Sequence, residues 1–294
     1  MAKYSLDGKY DDLDELYEQS ELDAGLIEDK HIITYRTKTI KSGKVLECEI
    51  YPVWDTSKAT ARARKFRESR KAQKKLNATN ATKNVIRLIN TNFTDADIWG
   101  TFTYETRKLP ATVELAQKEF AKFIRRLKYY AARNGFPPLK YVYVTEFEEN
   151  EEKGKKRVHH HIVTNFPDRD IAERLWRNGA RTQTRRLQAD ESGYEGLCRY
   201  IMKDPRGTKR YVTSKNLKKP SVSVSDCKFT RRKIRRIVNG DANPQAVFEK
   251  AYKGRYRFTT FTVKTSEYTT GVYLYAKMIE KENAGGRKNE IHRE

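Results

Sequence analysis

Residues 157–164 read Arg157-Val-His-His-His-Ile-Val-Thr164 and hold three of the five histidines in the chain. The β-branched residues around them predict a strand, on which side chains at i and i+2 share one face roughly 6.5 Å apart at the backbone. His159 and His161 then converge on one side, and His160 points to the other. Just upstream, Tyr141-Val-Tyr-Val-Thr-Glu-Phe147 alternates in the same way, and the polar turn containing Gly154 predicts antiparallel pairing of the two strands. That pairing brings a carboxylate, Glu146 or Glu148, onto the face that carries Val142 and Val144. Two imidazoles and a carboxylate make a mixed nitrogen and oxygen donor set with open positions, suited to Mn²⁺, Mg²⁺ or Fe²⁺.

Around this hairpin the pattern alternates between sheet and helix. Ile98-Trp-Gly-Thr-Phe-Thr-Tyr104 reads as a strand, and Thr112 to Arg133 as a helix with Val113, Ala116, Phe120, Phe123, Ile124, Leu127 and Ala131 on one stripe, stopped by Asn134-Gly135. Asp168 to Arg177 predicts a short helix, Arg181 to Leu187 a strand, and Tyr194 to Met202 a helix closed by Asp204-Pro205. This order predicts an α+β fold with helices on a mainly antiparallel sheet, the split βαβ arrangement.

Four segments follow from the same reading. Residues 1–30 form an acidic head, and residues 31–90 a small strand pair (His31 to Arg36 and Val45 to Tyr51) with a basic helical arm. Residues 91–205 are the α+β core. Residues 206–294 are a less regular basic extension with a helix at Thr230 to Val238, aromatic strands near Tyr256 to Val263 and Gly271 to Ala276, and a charged tail.

Charge points to a partner. The 294 residues carry 61 Lys and Arg against 39 Asp and Glu, a net +22, and the sequence pI is near 9.7. Such a balance selects a polyanion. The head runs against it, with three lysines and ten acids. Only 37% of residues are hydrophobic and the mean hydropathy is −0.89, which excludes a membrane-spanning helix of about 20 apolar residues. The start of the chain runs straight into acids and does not read as a secretory signal, so a cytoplasmic location, in a bacterial host, is expected. Cys48, Cys198 and Cys227 are too few and too far apart for a disulfide framework or a zinc ribbon. No Gly-x-x-x-x-Gly-Lys-Ser/Thr segment occurs, so any unwinding of DNA falls to another protein.

About 40 residues past the histidines, Tyr200-Ile-Met-Lys203 places a phenol and an ammonium at i and i+3, on one face of the predicted helix. A strand with Thr-Phe-Thr, a Glu strand, a His-x-His strand and a helical Tyr-x-x-Lys, in that order in a basic chain, resembles the HUH endonucleases, the rolling-circle replication initiators. Within them the chain looks most like replication-associated proteins related to the filamentous-phage gene II protein. The likeness covers about residues 60–285. It is carried by Asn92-Phe93, Trp99 to Tyr104, Tyr143-Val-Thr-Glu146, Arg157 to Ile162 and Gly196 to Lys203.

The resemblance implies a ferredoxin-like HUH nuclease core with basic flanks that nicks single-stranded DNA at an origin and can rejoin the strand. His159, His161 and Glu146 would hold Mg²⁺ or Mn²⁺, Tyr200 would attack phosphorus to leave a 5′-phosphotyrosine and a free 3′-OH, and Lys203 would position the phosphate or the developing phenolate. Single-stranded and origin DNA, a host helicase and a polymerase are the implied partners, with no membrane. The family has a bulky hydrophobe where this chain has His160, which opens a second register for the ligand pair. Tyr194 falls about 600° around a helix from Tyr200, so a single nucleophile is expected. For DNA contacts the sequence offers Thr101, Thr103, Arg199, Lys215, Lys218 and Lys219, and the basic helix Arg231 to Arg236.

Three other readings compete. A non-haem iron oxygenase also uses two histidines and a carboxylate, but leaves the basic charge without a role. A catalytically inert nucleic-acid-binding protein would need only the basic arms. A relaxase or transposase would share the tyrosine chemistry.

Overall fold

The computed structural model describes residues 32–54, 70–150, 155–179, 182–207, 209–265 and 271–281, leaving aside the side chains of 70–75, 148–150 and 155–156. The expected acidic head, the arm before residue 70, the acid-rich turn at 151–154 and the charged tail lie outside these residues. The described chain is α+β, with two five-stranded antiparallel sheets, and it forms two compact units.

The first unit is built on residues 57–222. Its strands are β3 (Ile98–Thr103), β4 (Tyr141–Asn150), β5 (Lys155–Thr164), β6 (Thr182–Arg186) and β7 (Val212–Thr213), in the spatial order β6-β3-β5-β4-β7. Its helices are α1 (Arg70–Asn92), α2 (Val113–Arg133), α3 (Arg169–Leu175) and α4 (Glu195–Ile201). Helix α2 starts where Thr112 Oγ1 accepts from the Leu115 amide, and the chain leaves it through Gly135 at φ 69°. Its stripe of Ala116, Phe120, Phe123, Ile124, Leu127 and Ala131 is buried against Phe102, Tyr143, Ile162 and Trp176 on one side of the sheet. Burial of each of the two phenylalanines stabilises by about 1.5–3 kcal/mol. The opposite side presents Val142, Val144 and Val163 to Val85, Ile86 and Ile89 of α1 and to Tyr194, Cys198 and Ile201 next to and on α4. Period-2 alternation in the strands thus feeds two separate cores, one on each side.

The second unit joins pieces that are distant in sequence. Strands β1 (Ile32–Ser42) and β2 (Val45–Trp54) meet β8 (Ser221–Ser225), β9 (Tyr256–Thr265) and β10 (Val272–Glu280) in the order β8-β1-β2-β10-β9. A strand pair too small to fold alone is completed by strands from the C-terminal part. Helices α5 (Arg231–Val238) and α6 (Pro244–Ala251) supply Ile234, Ile237 and Phe248 to its core, beside Cys48, Ile50, Leu274 and Met278. Helix α6, β7, β8 and the 3-10 turn Thr106–Lys108 are additions to the sequence reading. The signal for α6 was available: Asn243 caps it through the Gln245 amide and Pro244 opens its first turn. No helix among the described residues is long and apolar enough to cross a membrane.

Candidate metal and nucleophile site

The β4–β5 ladder sets the site. Glu146 stands opposite His159, Thr145 opposite His160, and Val144 opposite His161. On the other edge of β5, Thr103 faces His159 and Thr101 faces His161. Cross-strand partners share a face, so Thr101, Thr103, Glu146, His159 and His161 form one polar row. Of the two carboxylates left open by the sequence, the register puts Glu146 beside the histidines, whereas Glu148 pairs with Arg157, one step further along.

Glu146 Oε2 lies 3.2 Å from His161 Nε2 and 3.7 Å from His159 Nδ1. Burial acts to raise the Glu146 carboxyl, and the two imidazoles more than offset it, holding it at about 2. His161 is fully buried and its Nδ1 bonds Thr101 Oγ1 at 3.0 Å. Its Nε2 is buried, and the one polar group given near it is the Glu146 carboxylate at 3.2 Å.

His160 belongs to the other face. Its Nε2 meets Tyr104 Oη at 2.9 Å, its Nδ1 meets Thr145 Oγ1 at 3.0 Å, and its ring stacks on Phe120 at 4.2 Å. With the proton on Nε2 the ring donates to Tyr104 and accepts from Thr145, leaving Tyr104 free to donate to the Ala116 carbonyl. Burial, followed by the neighbouring His161 and His159, pushes its pKa down to about 3. His160 is a core side chain, and the second ligand register is closed.

Tyr200 is 55% exposed. Its ring centre lies 5.4 Å from that of His161 and 6.3 Å from that of Trp99. Helix α4 explains this placement, since Cys198 and Ile201 point into the core and Tyr200 takes the adjoining side at the rim. The helix is held by the Tyr194 amide, which donates to Asn90 Oδ1, and by the Tyr194 hydroxyl, which donates to Asp95 Oδ1. Burial and Asp95 raise the Tyr194 phenol pKa, so Tyr194 is an anchor and Tyr200 alone faces the histidines.

The expectation that Tyr200 and Lys203 share a helical face is corrected: α4 ends at Ile201. Lys203 lies in the following bend, exposed, one turn on through its amide to the Tyr200 carbonyl at 3.3 Å. Thr101, expected to floor a DNA cleft, orients His161 instead. The Thr103 carbonyl accepts from Trp176 Nε1. Arg199 is drawn back along the helix, with its Nη2 2.6 Å from Glu195 Oε1. Lys215, Lys218 and Lys219 are exposed on the segment after β7, where Asn92 grips the Lys218 backbone at both its amide and its carbonyl.

The sequence reading missed a groove beside Tyr200. Trp99, Arg169, Arg185, Arg186, Gln188, Leu197 and Tyr200 line a space of about 660 Å³. Trp99 and Arg185 are cross-strand partners. Arg186 is held by the Ala96 and Pro167 carbonyls and Arg169 by Thr184. The signal in sequence was the run Arg185-Arg186 on a predicted strand, readable only once β6 is known to lie beside β3.

The residues present fit a divalent ion in two respects. The donors are of the right kind, with His161 Nε2 buried and unbonded. The distances of 3.2 and 3.7 Å are also near the separation of about 3 Å that two donors adopt at right angles on one ion bound at about 2.1 Å. Among the described residues no three such side chains already close around one point.

No curated protein and no solved structure matches the chain. Residues 97–205, which run from just before β3 to just past Lys203 and enclose the whole histidine, glutamate and tyrosine constellation, match the family model of replication-associated proteins of the ORF2 and phage gene II type.

Proposed function

We propose that the chain initiates rolling-circle replication by nicking single-stranded DNA at an origin, with Tyr200 as nucleophile. The observation that carries this reading is an exposed Tyr200 packed edge-on to His161, at the mouth of an arginine-lined groove and next to the Glu146, His159 and His161 row. Mg²⁺ or Mn²⁺ held by His159, His161 and Glu146 would supply Lewis-acid stabilisation of the charge that develops on the scissile phosphate.

The chain's own residues do the rest. Thr101 fixes the His161 ring so that Nε2 faces the site. Trp99 and Arg185 receive the strand next to the scissile bond. The Tyr200 phenol loses its proton as its oxygen bonds phosphorus, and the P–O3′ bond breaks. The 3′ oxygen leaves as a hydroxyl, and the 5′ end stays on the tyrosine. Lys203, one turn beyond, places a cation near the phenolate as it forms. The phosphotyrosine bond keeps the energy of the phosphodiester, so a later 3′-OH can reverse the step and join the strand. A host helicase and polymerase supply unwinding and extension.

The test incubates the protein with labelled single-stranded oligonucleotides from its own replicon, with Mn²⁺ or EDTA, and resolves the product on a denaturing gel. A Mn²⁺-dependent protein–DNA adduct that Tyr200→Phe abolishes is the expected result. Tight binding without any adduct would overturn the reading in favour of a non-catalytic binding protein.

A further inference from the structure

A strand at the end of a sheet offers a row of unpaired amides and carbonyls, and folds ordinarily blunt such an edge with charge, proline, a bulge or shortness. Among the described residues the two sheets have four end strands, β6 and β7 in the first and β8 and β9 in the second. Strand β6 carries Arg185 and Arg186, and β7 is two residues long. Strand β9 carries Arg257 and Lys264, and its pairing with β10 is broken by a bulge at Thr259, where Lys277 stands opposite Thr260 and Met278 opposite Phe258. Strand β8 has neither charge nor bulge: it reads Ser221-Val-Ser-Val-Ser225, with its first four residues exposed. Val222 is 54% exposed and Val224 58%, and Ile33 on the neighbouring β1 is 63% exposed. These three are half of the six large hydrophobic side chains exposed among the described residues.

We propose that β8 is a pairing edge for a second copy of this chain, which adds its own β8 antiparallel across a two-fold axis at Ser223. The sequence selects this occupant, because Ser-Val-Ser-Val-Ser reads the same in both directions. A two-fold contact sets residue i on j and j on i. With Ser223 opposite its own copy, Val222 falls opposite Val224 and Ser221 opposite Ser225. Cross-strand partners share a face, so four exposed valines gather on one side of the new ladder and the serines on the other. A slip by one residue would set every valine against a serine. Pro220, which has no amide, and Asp226, whose carboxylate is held by Arg36, bound the ladder at its two ends. Five paired residues make a contact far smaller than the standard interface of about 1,600 Å², so exchange between one copy and two is expected in the micromolar range or weaker. The proposal does not depend on the nicking chemistry.

The test sediments the nuclease-treated full chain between about 1 and 500 µM. Its mass is expected to rise with concentration towards twice that of one chain. Two copies at +22 each repel, so association is expected to strengthen as salt is raised from about 100 to 500 mM, whereas a bridge of residual nucleic acid would weaken over that range. Val222→Lys with Val224→Lys sets like charges opposite one another in this register and is expected to weaken association about tenfold or more, with the melting temperature unchanged. Should that variant melt early, oxidative crosslinking carries the test. It uses a Cys227→Ser background, which leaves only the buried Cys48 and Cys198. Ser223→Cys is expected to give a disulfide-linked pair, since partners in an antiparallel ladder lie about 4.5–5.5 Å apart at Cα, within a disulfide's span. Ser221→Cys alone is expected to give less than about a tenth of that yield, and to crosslink when mixed with Ser225→Cys. A single copy at every concentration would overturn the proposal and leave the edge to a strand of a different protein. Association that falls with salt, a folded lysine variant that associates like the parent, or equal crosslinking through Ser221→Cys alone and Ser223→Cys would each overturn it as well.

Discussion

Each of the two sheets holds a carboxylate in a strand ladder, and the two are treated in opposite ways. In the second sheet Glu47 stands opposite Lys277, both nearly inaccessible, and accepts a 2.6 Å hydrogen bond from the Tyr275 hydroxyl. In the first sheet Glu146 stands opposite His159, a quarter exposed, within reach of two imidazoles, and the buried His161 Nε2 is left unbonded. A satisfied buried polar group secures a fold, whereas an unsatisfied one is a cost that persists where a ligand completes it. The difference separates a structural pair from the proposed metal site.

The sharpest way to break this comparison is to neutralise each carboxylate in turn. Glu146→Gln is expected to lower adduct formation by about 100-fold or more with a smaller loss of stability than Glu47→Gln, since a donor is removed and only the part-exposed pairs with His159 and His161 are lost. Glu47→Gln is expected to do the reverse, lowering stability by about 1–3 kcal/mol with adduct formation per folded molecule unchanged. Chemical denaturation read alongside the gel assay checks both. If Glu146→Gln were the destabilising change of the two, the distinction would fail.

His160→Ala sharpens the same contrast within three consecutive residues. It leaves Thr145 and Tyr104 without their partner and opens a space beside Phe120, so a loss of about 2–4 kcal/mol is expected. Adduct formation by the fraction that remains folded should match the parent chain. His161→Ala should show the opposite pattern.

A smaller effect is expected at the hydroxyl that orients the ligand. Thr101→Val keeps the strand and removes the bond to His161 Nδ1, and such supporting bonds typically govern 10- to about 100-fold in metal affinity. Mn²⁺ titration of adduct formation should shift to higher concentration by that range and saturate near the parent rate. Smallest of all, Arg185→Gln at the groove is expected to weaken oligo-dT binding by about threefold, one phosphate contact in a screened setting, with duplex binding unchanged. Unchanged oligo-dT binding would remove Arg185 from the groove's contacts.

Local chemistry was legible in the chain wherever a short period decides it. The alternation His159, His160, His161 already separates the pair on the Glu146 face from the core histidine, because strand side chains alternate whatever the strand pairs with. The stripe from Ala116 to Ala131 fixes the buried face of α2 to within a residue of its observed span, since Thr112 and Gly135 mark its ends. Lys203 shows where this fails: a helix end depends on caps and neighbours, and with the last helical residue at Ile201 the ammonium falls in the bend beyond it.

Long-range pairing was not legible. Nothing near His31 or Tyr51 announces that β2 will pair with β10, more than 200 positions away, with Ile50 opposite Leu274, and the C-terminal segment looked irregular for want of that partner. The groove has the same origin, since Trp99, Arg185 and Tyr200 lie on β3, β6 and α4 and meet only because β6 adds to the free edge of β3. By itself the sequence determined the donor types, the His-x-His phase and the basic character of the chain, properties that live within a few residues. Only the tertiary structure decided that Glu146 is the carboxylate at the histidines and that Tyr200 faces them, because register and sheet order arise from contacts between segments that no local pattern encodes.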